Sequence, residues 1–329
     1  MNAPQATRQL EVGLGVWGMT APYARPASLS RVYREAVRHA QLADRLGFDS
    51  MWMGEHRVSY SGTCPSLLMA AAHLTSVTER IALGPGVLLL PLHESERVAQ
   101  ACAAVQSIAP GRLKLGIGLG YREAEFAAAG TDVKQRLPRF KAHLDDLVGR
   151  YADLMGSTEI WFAGDADVAG RRAGRYGGSL LLSQNTPLDD IPAKLANWRQ
   201  SLQETPRQTP KSSIMREVWA LGGDDDGTEI RARLHELWLD YGSHWVEDPR
   251  ENDAARQKLA AERVGTAVIG TPEQVVDQLA PAVRSGIDQI LLKINFQGAD
   301  GDAVDGQIRL LADTVLPALK ELRAQEVAA

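Results

Sequence analysis

Three consecutive residues, Glu55-His56-Arg57, follow directly on the apolar run FDSMWMG (Phe48 to Gly54). An imidazole at the end of a buried strand can hold or move a proton near neutral pH, and a carboxylate beside it can share that work. A solvated loop histidine would read the same way at this level. Two glycine-rich stretches follow. Gly84-Pro85-Gly86-Val87 interrupts the third apolar run and reads as a strand bulge. Gly116-Ile117-Gly118-Leu119-Gly120 closes the fourth. It has the look of a dinucleotide-binding turn, but no acidic residue roughly 20 positions on ends a second strand. A tight strand-end turn explains it as well.

Other chemistries lack their residues. His93-Glu94 and His235-Glu236 do not extend to H-E-x-x-H, the 7 histidines do not fall at metal-ligand spacing, and no G-x-S-x-G elbow exists. The two cysteines, Cys64 and Cys102, are too few for a disulfide framework and lack C-x-x-C spacing, so buried thiols are expected. His39 and His73 sit within helical patterns.

The elements that must position these residues alternate regularly. Strand-like runs cover Leu10–Trp17, Phe48–Gly54, Arg80–Leu90, Arg112–Gly120, Glu159–Gly164, Gly178–Ser183, Ile214–Leu221 and Asp288–Phe296. Amphipathic stretches separate them. In SRVYREAVRHAQLADRLG the apolar Val32, Ala36, Val37, Ala40 and Ala43 recur at helical spacing, with Gly47 as a stop. Apolar strands alternating with helices imply a parallel sheet buried on both faces, and this number of units over 329 residues favours a single α/β domain, a (β/α)8 TIM barrel. A polar stretch at about 242–268 breaks the rhythm and reads as an insertion beside the barrel mouth, where His244 and Trp245 can act as a flap. In such a barrel, residues just after the strands carry the chemistry. Trp17, Trp52 and Phe296 fall at or near strand ends and are candidates for a substrate pocket, with ordinary barrel packing as the default.

A net charge of -5 with dispersed Lys and Arg argues against nucleic acid as a partner. The longest apolar run, Ile81 to Leu92, is broken by Pro85 and is well short of the ~20 residues that span a bilayer, so no membrane association is expected. The N-terminus has no apolar h-region, and a cytoplasmic enzyme is expected.

The stretches GFDSMWMGEHR, AAAHLTSVTERIALGPGVLLLPLHESERVAQ, SIAPGRLKLGIGLGYREAEFAAAGTD and VIGTPEQVVDQLAPAVRSGIDQILL, in that order, resemble the bacterial luciferase-like flavin-dependent monooxygenases over nearly the whole chain. The resemblance implies FMN, reduced by a separate flavin reductase, reacting with O2 to a C4a-(hydro)peroxyflavin that oxygenates an apolar organic substrate. His56 matches the family histidine that handles the reduced flavin and its oxygen adduct, with Glu55 beside it. Gly86-Val87 matches a non-proline cis peptide beneath the flavin, and the small residues around Gly118 would let the ring pack on backbone. The phosphate place falls on Gly164–Gly170, yet hydroxyl side chains and an arginine usual in luciferases are replaced here by Ala166, Ala169 and Leu119, and Asp165 and Asp167 would repel an anion they faced. Backbone N–H groups near Ala169 and Gly170, with Arg136 or Arg139 as cation, are left to hold it. That departure keeps F420-dependent hydride transfer as the alternative, and a non-catalytic flavin-binding protein as a third. A homodimer through the second and third barrel units is the family expectation.

Overall fold

The computed structural model describes residues 9–17, 29–56, 64, 66–203, 209–242, 253–294 and 301–328. Its strands are β1 (Glu11–Trp17), β2 (Ser50–Met53), β3 (Ala82–Pro85), β4 (Leu88–Leu89), β5 (Lys114–Gly118), β6 (Glu159–Ala163), β7 (Ser179–Leu182), β8 (Ser212–Ala220), β9 (Val268–Gly270) and β10 (Gln289–Lys293). All pairings are parallel, in the order β3-β2-β1-β10-β8-β7-β6-β5-β4. The third apolar run is divided at a cis Gly86-Val87 peptide into β3, which pairs with β2, and β4, which pairs with β5. A bridge from Leu83 to Leu113 joins the two ends, giving a nearly closed TIM barrel. Only β9 lies off the ring, paired to β8.

Helices fill the intervals: α1 (Leu29–Arg45), α2 (Leu67–Ser76), α3 (Ser95–Ile108), α4 (Glu123–Ala128), α5 (Arg136–Val148), α6 (Ala152–Met155), α7 (Asp167–Arg175), α8 (Ile191–Gln200), α9 (Thr228–Gly242), α10 (Asp253–Thr266), α11 (Pro272–Arg284), α12 (Gly301–Leu310) and α13 (Leu316–Ala328). The apolar stripe of α1 packs on the barrel through Ala36, Ala40 and Ala43, and Gly47, at φ +87°, turns the chain out of the helix. α11 opens with a capping box in which Thr271 accepts from the Gln274 N–H and Gln274 Oε1 accepts from the Thr271 N–H at 3.0 Å. The polar stretch read as an insertion contains α10. With α9 it forms a small core of Trp219, Ile230, Leu234, Leu237, Trp238, Ala260 and Ile269, separate from the main one.

Alternation along each strand sends every second side chain inward. The lowest interior layer is polar: Lys114 Nζ lies 2.8 Å from Glu11, Lys211 pairs with the same carboxylate, and Gln289 bridges Glu11 and Ser50. Above it Trp52, Trp161, Leu181 and Leu291 plug the barrel, the two indoles edge to face at 5.3 Å. The next layer, at the C-terminal strand ends, is made of small residues on one side (Gly15, Gly86, Gly118, Ala163) and an ion pair on the other. The plug therefore fills the middle of the barrel, below the strand ends where such barrels carry chemistry.

Candidate active site

His56 stands three residues beyond β2, at that end of the barrel. Its Nδ1 lies 3.2 Å from Glu125 Oε1 on α4, and Arg122 Nη1 reaches the same oxygen at 3.3 Å. The Glu125 side chain is 1% exposed, so the carboxylate that orients the imidazole is fixed by the fold. With Nδ1 engaged by a carboxylate, proton exchange falls to Nε2. Tyr121 and Tyr241 meet the imidazole edge-on at 6.1 and 5.8 Å, and their hydroxyls hydrogen-bond to each other. Burial raises both phenols above the usual tyrosine range; the Tyr241 contact raises Tyr121 further. They stay neutral around the histidine.

Glu55 occupies a different place from its neighbour. Its carboxylate is buried, accepts the Leu89 N–H at 2.8 Å and lies 2.9 Å from His93 Nε2. It thus ties the end of β2 to β4, across the cis peptide, and within the described residues it acts by holding that backbone in place.

On the small-residue side, a Cβ on Gly86 would stand 3.1 Å from Trp52, and one on Gly118 would stand 2.5 Å from Val87 Cγ2. Only glycine allows these approaches, of Gly86 onto Trp52 of the plug and of Gly118 onto the Val87 side chain, and the surface they form is backbone with Val87 beside it. A flat ring fits such a surface. Trp52 itself is fully buried beneath it, as part of the plug, and Trp17 is buried against His39 at 5.2 Å. Arg57, His244, Trp245 and Phe296 lie outside the described residues.

At the expected phosphate place, Ala166 precedes the first turn of α7. The Ala169 and Gly170 N–H groups both donate back to the Ala166 carbonyl, at 2.8 and 3.4 Å, so they are not offered to an anion; the donors at the helix start are those of Asp167 and Val168. Asp165 is turned inward, accepting from the Ser183 N–H at 2.8 Å and Thr186 Oγ1 at 2.7 Å, which removes its repulsion from the site. Asp167 pairs with Lys194 at 2.8 Å. Arg139 donates to the Pro91 carbonyl at 2.8 Å, whereas Arg136 is exposed at the start of α5.

Opposite the glycines stand two residues that strand-end reasoning passed over. Glu217 on β8 and Lys293, the last residue of β10, are register partners, with Nζ 3.0 Å from Oε1. Glu217 also accepts the Trp238 indole N–H at 3.1 Å, and that indole lies 5.2 Å from Lys293 Nζ and 5.1 Å from the Arg263 guanidinium. Trp238 meets Tyr241 at 5.1 Å, so α9 spans the mouth from the ion pair to the histidine. The signal existed for the strand residues: a charge inside IMREVWAL and another inside DQILLKINF, each on an inward position. Tyr121, Arg122 and Glu125 follow the fourth strand run as directly as His56 follows the second. Trp238 and Tyr241 had none, because α9 reaches the mouth only through tertiary packing.

Among the described residues no group of His, Cys, Asp and Glu has metal-site geometry, and no helix is long and apolar enough to cross a membrane. Cys64 and Cys102 are buried free thiols.

The chain is similar to the oxygenase component of a flavin-dependent trigonelline monooxygenase from Acinetobacter baylyi, at 22% identity over 88% of this chain and 91% of that one. It is also similar to an F420-dependent glucose-6-phosphate dehydrogenase from Nocardia farcinica, at 25% identity over 78% and 87%. Among solved structures, the monooxygenase RslO1 from Streptomyces bottropensis superimposes with a TM-score of 0.74 at 19% identity, covering 94% of this chain and 99% of that one. An F420-dependent secondary alcohol dehydrogenase superimposes at 0.71 with 14% identity, covering 94% and 99%, so the fold is common to oxygenases and hydride-transfer enzymes. The profile described as luciferase-like monooxygenase matches residues 12–289, and the chain belongs to that family.

Proposed function

We propose that this protein is an FMN-dependent monooxygenase, with reduced flavin delivered by a separate reductase and O2 as co-substrate. The observation that carries the reading is the close backbone approach at Gly86 and Gly118, beside Val87, at the barrel end that carries a carboxylate-oriented histidine. That surface would hold the flavin ring, and the first turn of α7 with Arg136 would meet its phosphate. When bound, reduced flavin supplies the two electrons that O2 activation requires. The chain's own part is to orient, to exclude water and to handle the proton. Glu125 fixes the His56 imidazole so that Nε2 gives or takes a proton at the mouth, and α9 with its two aromatic residues shields that position from solvent.

F420-dependent hydride transfer is the second reading, favoured by the lack of hydroxyl side chains at the start of α7 and by relatives of that kind. We further propose a cytoplasmic homodimer, with the apolar groove between α2 and α3, flanked by exposed Met69, as the contact. Anaerobic titration with reduced FMN, followed by rapid mixing with oxygenated buffer, tests the main reading. Tight binding and a flavin absorbance change slower than that of free reduced flavin are expected, with His56→Ala altering the oxidation phase. No binding of reduced FMN, with binding of reduced F420, overturns it.

A further inference from the structure

We propose that Lys293, held in place by Glu217, is a substrate-anchoring residue that selects organic molecules bearing a carboxylate. This rests on the barrel mouth being the site of the oxidoreductase chemistry above.

Among the described residues, the ionised side chains that the strands place in the uppermost interior layer are Glu217 and Lys293; the other inward positions there are glycines, Ala163 and Ser183. The fold does not require a charge at this level. An apolar pair would extend the plug below, and withdrawing two charges from water is offset only when geometry and further hydrogen bonds are good. Here the Glu217 side chain is 3% exposed and the Lys293 side chain 16% exposed, so the acid is buried more completely than the base.

The donors tell the same story. An ammonium has three N–H groups. Glu217 takes one, and the Trp238 face, 5.2 Å away, is a weaker partner than an oxygen. Charge also points to an anion. Around the Trp238 indole the Glu217 carboxylate faces two cations, Lys293 at 3.0 Å and Arg263 stacked on the same ring, so this local cluster carries one positive charge in excess. A monoanionic ligand at this end of the barrel would neutralise the cluster. Away from the His56–Glu125–Arg122 group, the described part of the mouth offers glycine backbone and aromatic edges, suited to an apolar body. The fitting molecule is therefore amphipathic: an aliphatic or aromatic skeleton with a carboxylate at one end, anchored on Lys293 and lying across the glycine backbone.

The test uses two matched pairs of probes, octanoate with 1-octanol and benzoate with benzyl alcohol, bound to the full-length protein and followed by ligand-observed NMR titration. The wild type is expected to bind each carboxylate about tenfold or more tighter than its alcohol, the size of one charge-assisted hydrogen bond. Lys293→Met should abolish the difference by weakening the carboxylates alone, and Lys293→Arg should keep it. Glu217→Gln should strengthen carboxylate binding, because it removes the negative charge that competes for the ammonium. If the pair only braces α9, both removals weaken all four probes alike. Equal binding of acid and alcohol by the wild type overturns the proposal whether or not Lys293→Met folds. Carboxylate preference without reduced-FMN binding would retain the anchor and remove the flavin reading; reduced-FMN binding without the preference would do the reverse.

Discussion

Replacing Glu55 separates a residue that builds the site from one that reacts in it. Its carboxylate accepts the Leu89 N–H at 2.8 Å and meets His93 at 2.9 Å, at a buried junction between the ends of β2 and β4. Glu55→Ala removes a hydrogen bond to a charged acceptor and strands a buried N–H. Those losses together amount to about 3–5 kcal/mol. Glu55→Gln keeps an oxygen for Leu89, and its amide can donate to His93 if the ring takes the tautomer with Nε2 unprotonated. That substitution should cost about 1 kcal/mol. Urea unfolding followed by circular dichroism measures both, and hydrogen exchange at the Leu89 amide reports the junction itself. Reduced-flavin oxidation by the Gln variant should match the wild type. A Gln variant of wild-type stability that fails to control flavin oxidation would refute the argument, because it would show the charge being used in the reaction. So would an Ala variant within about 0.5 kcal/mol of the wild type.

Two further expectations test the barrel. A Cβ on Gly84 would overlap the Lys114 carbonyl oxygen, a backbone atom that cannot swing aside, so Gly84→Ala should destabilise by more than about 3 kcal/mol or prevent folding, read as loss of the urea transition. For Glu11, burial raises the carboxyl pKa but Lys114 and Lys211 more than reverse it, leaving it below the usual glutamate value. A depressed folded-state pKa gives stability that is full above the unfolded value and is lost as pH falls through the folded one. The wild type should therefore lose stability below about pH 4.5, and Glu11→Gln should lose less over that interval, in thermal melts from pH 6 to 3.

The barrel was legible because its strands are buried on both faces, which writes β-like runs from Leu10 to Phe296 with little ambiguity. The site was legible in part. His56 and the Gly86-Val87 break could be found because both sit in or just after strands. The phosphate expectation at Ala169 and Gly170 met a helix geometry that sequence cannot show: those N–H groups are spent on Ala166. Asp165 reads as a repulsive charge in sequence, but Ser183 and Thr186, distant along the chain, turn it away. Glu217 and Lys293 lie 76 positions apart, and only the strand register makes them one feature.

The α9–α10 unit has a hydrophobic cluster of its own, linked to the barrel through Trp219 and Ile269, while the glycine surface belongs to the barrel. The unit is nonetheless tied to the histidine through Tyr241, which meets His56 at 5.8 Å and hydrogen-bonds to Tyr121. An engineer who exchanged residues 228–266 as a cassette would have to carry Tyr241 along to keep the surroundings of His56 as they are.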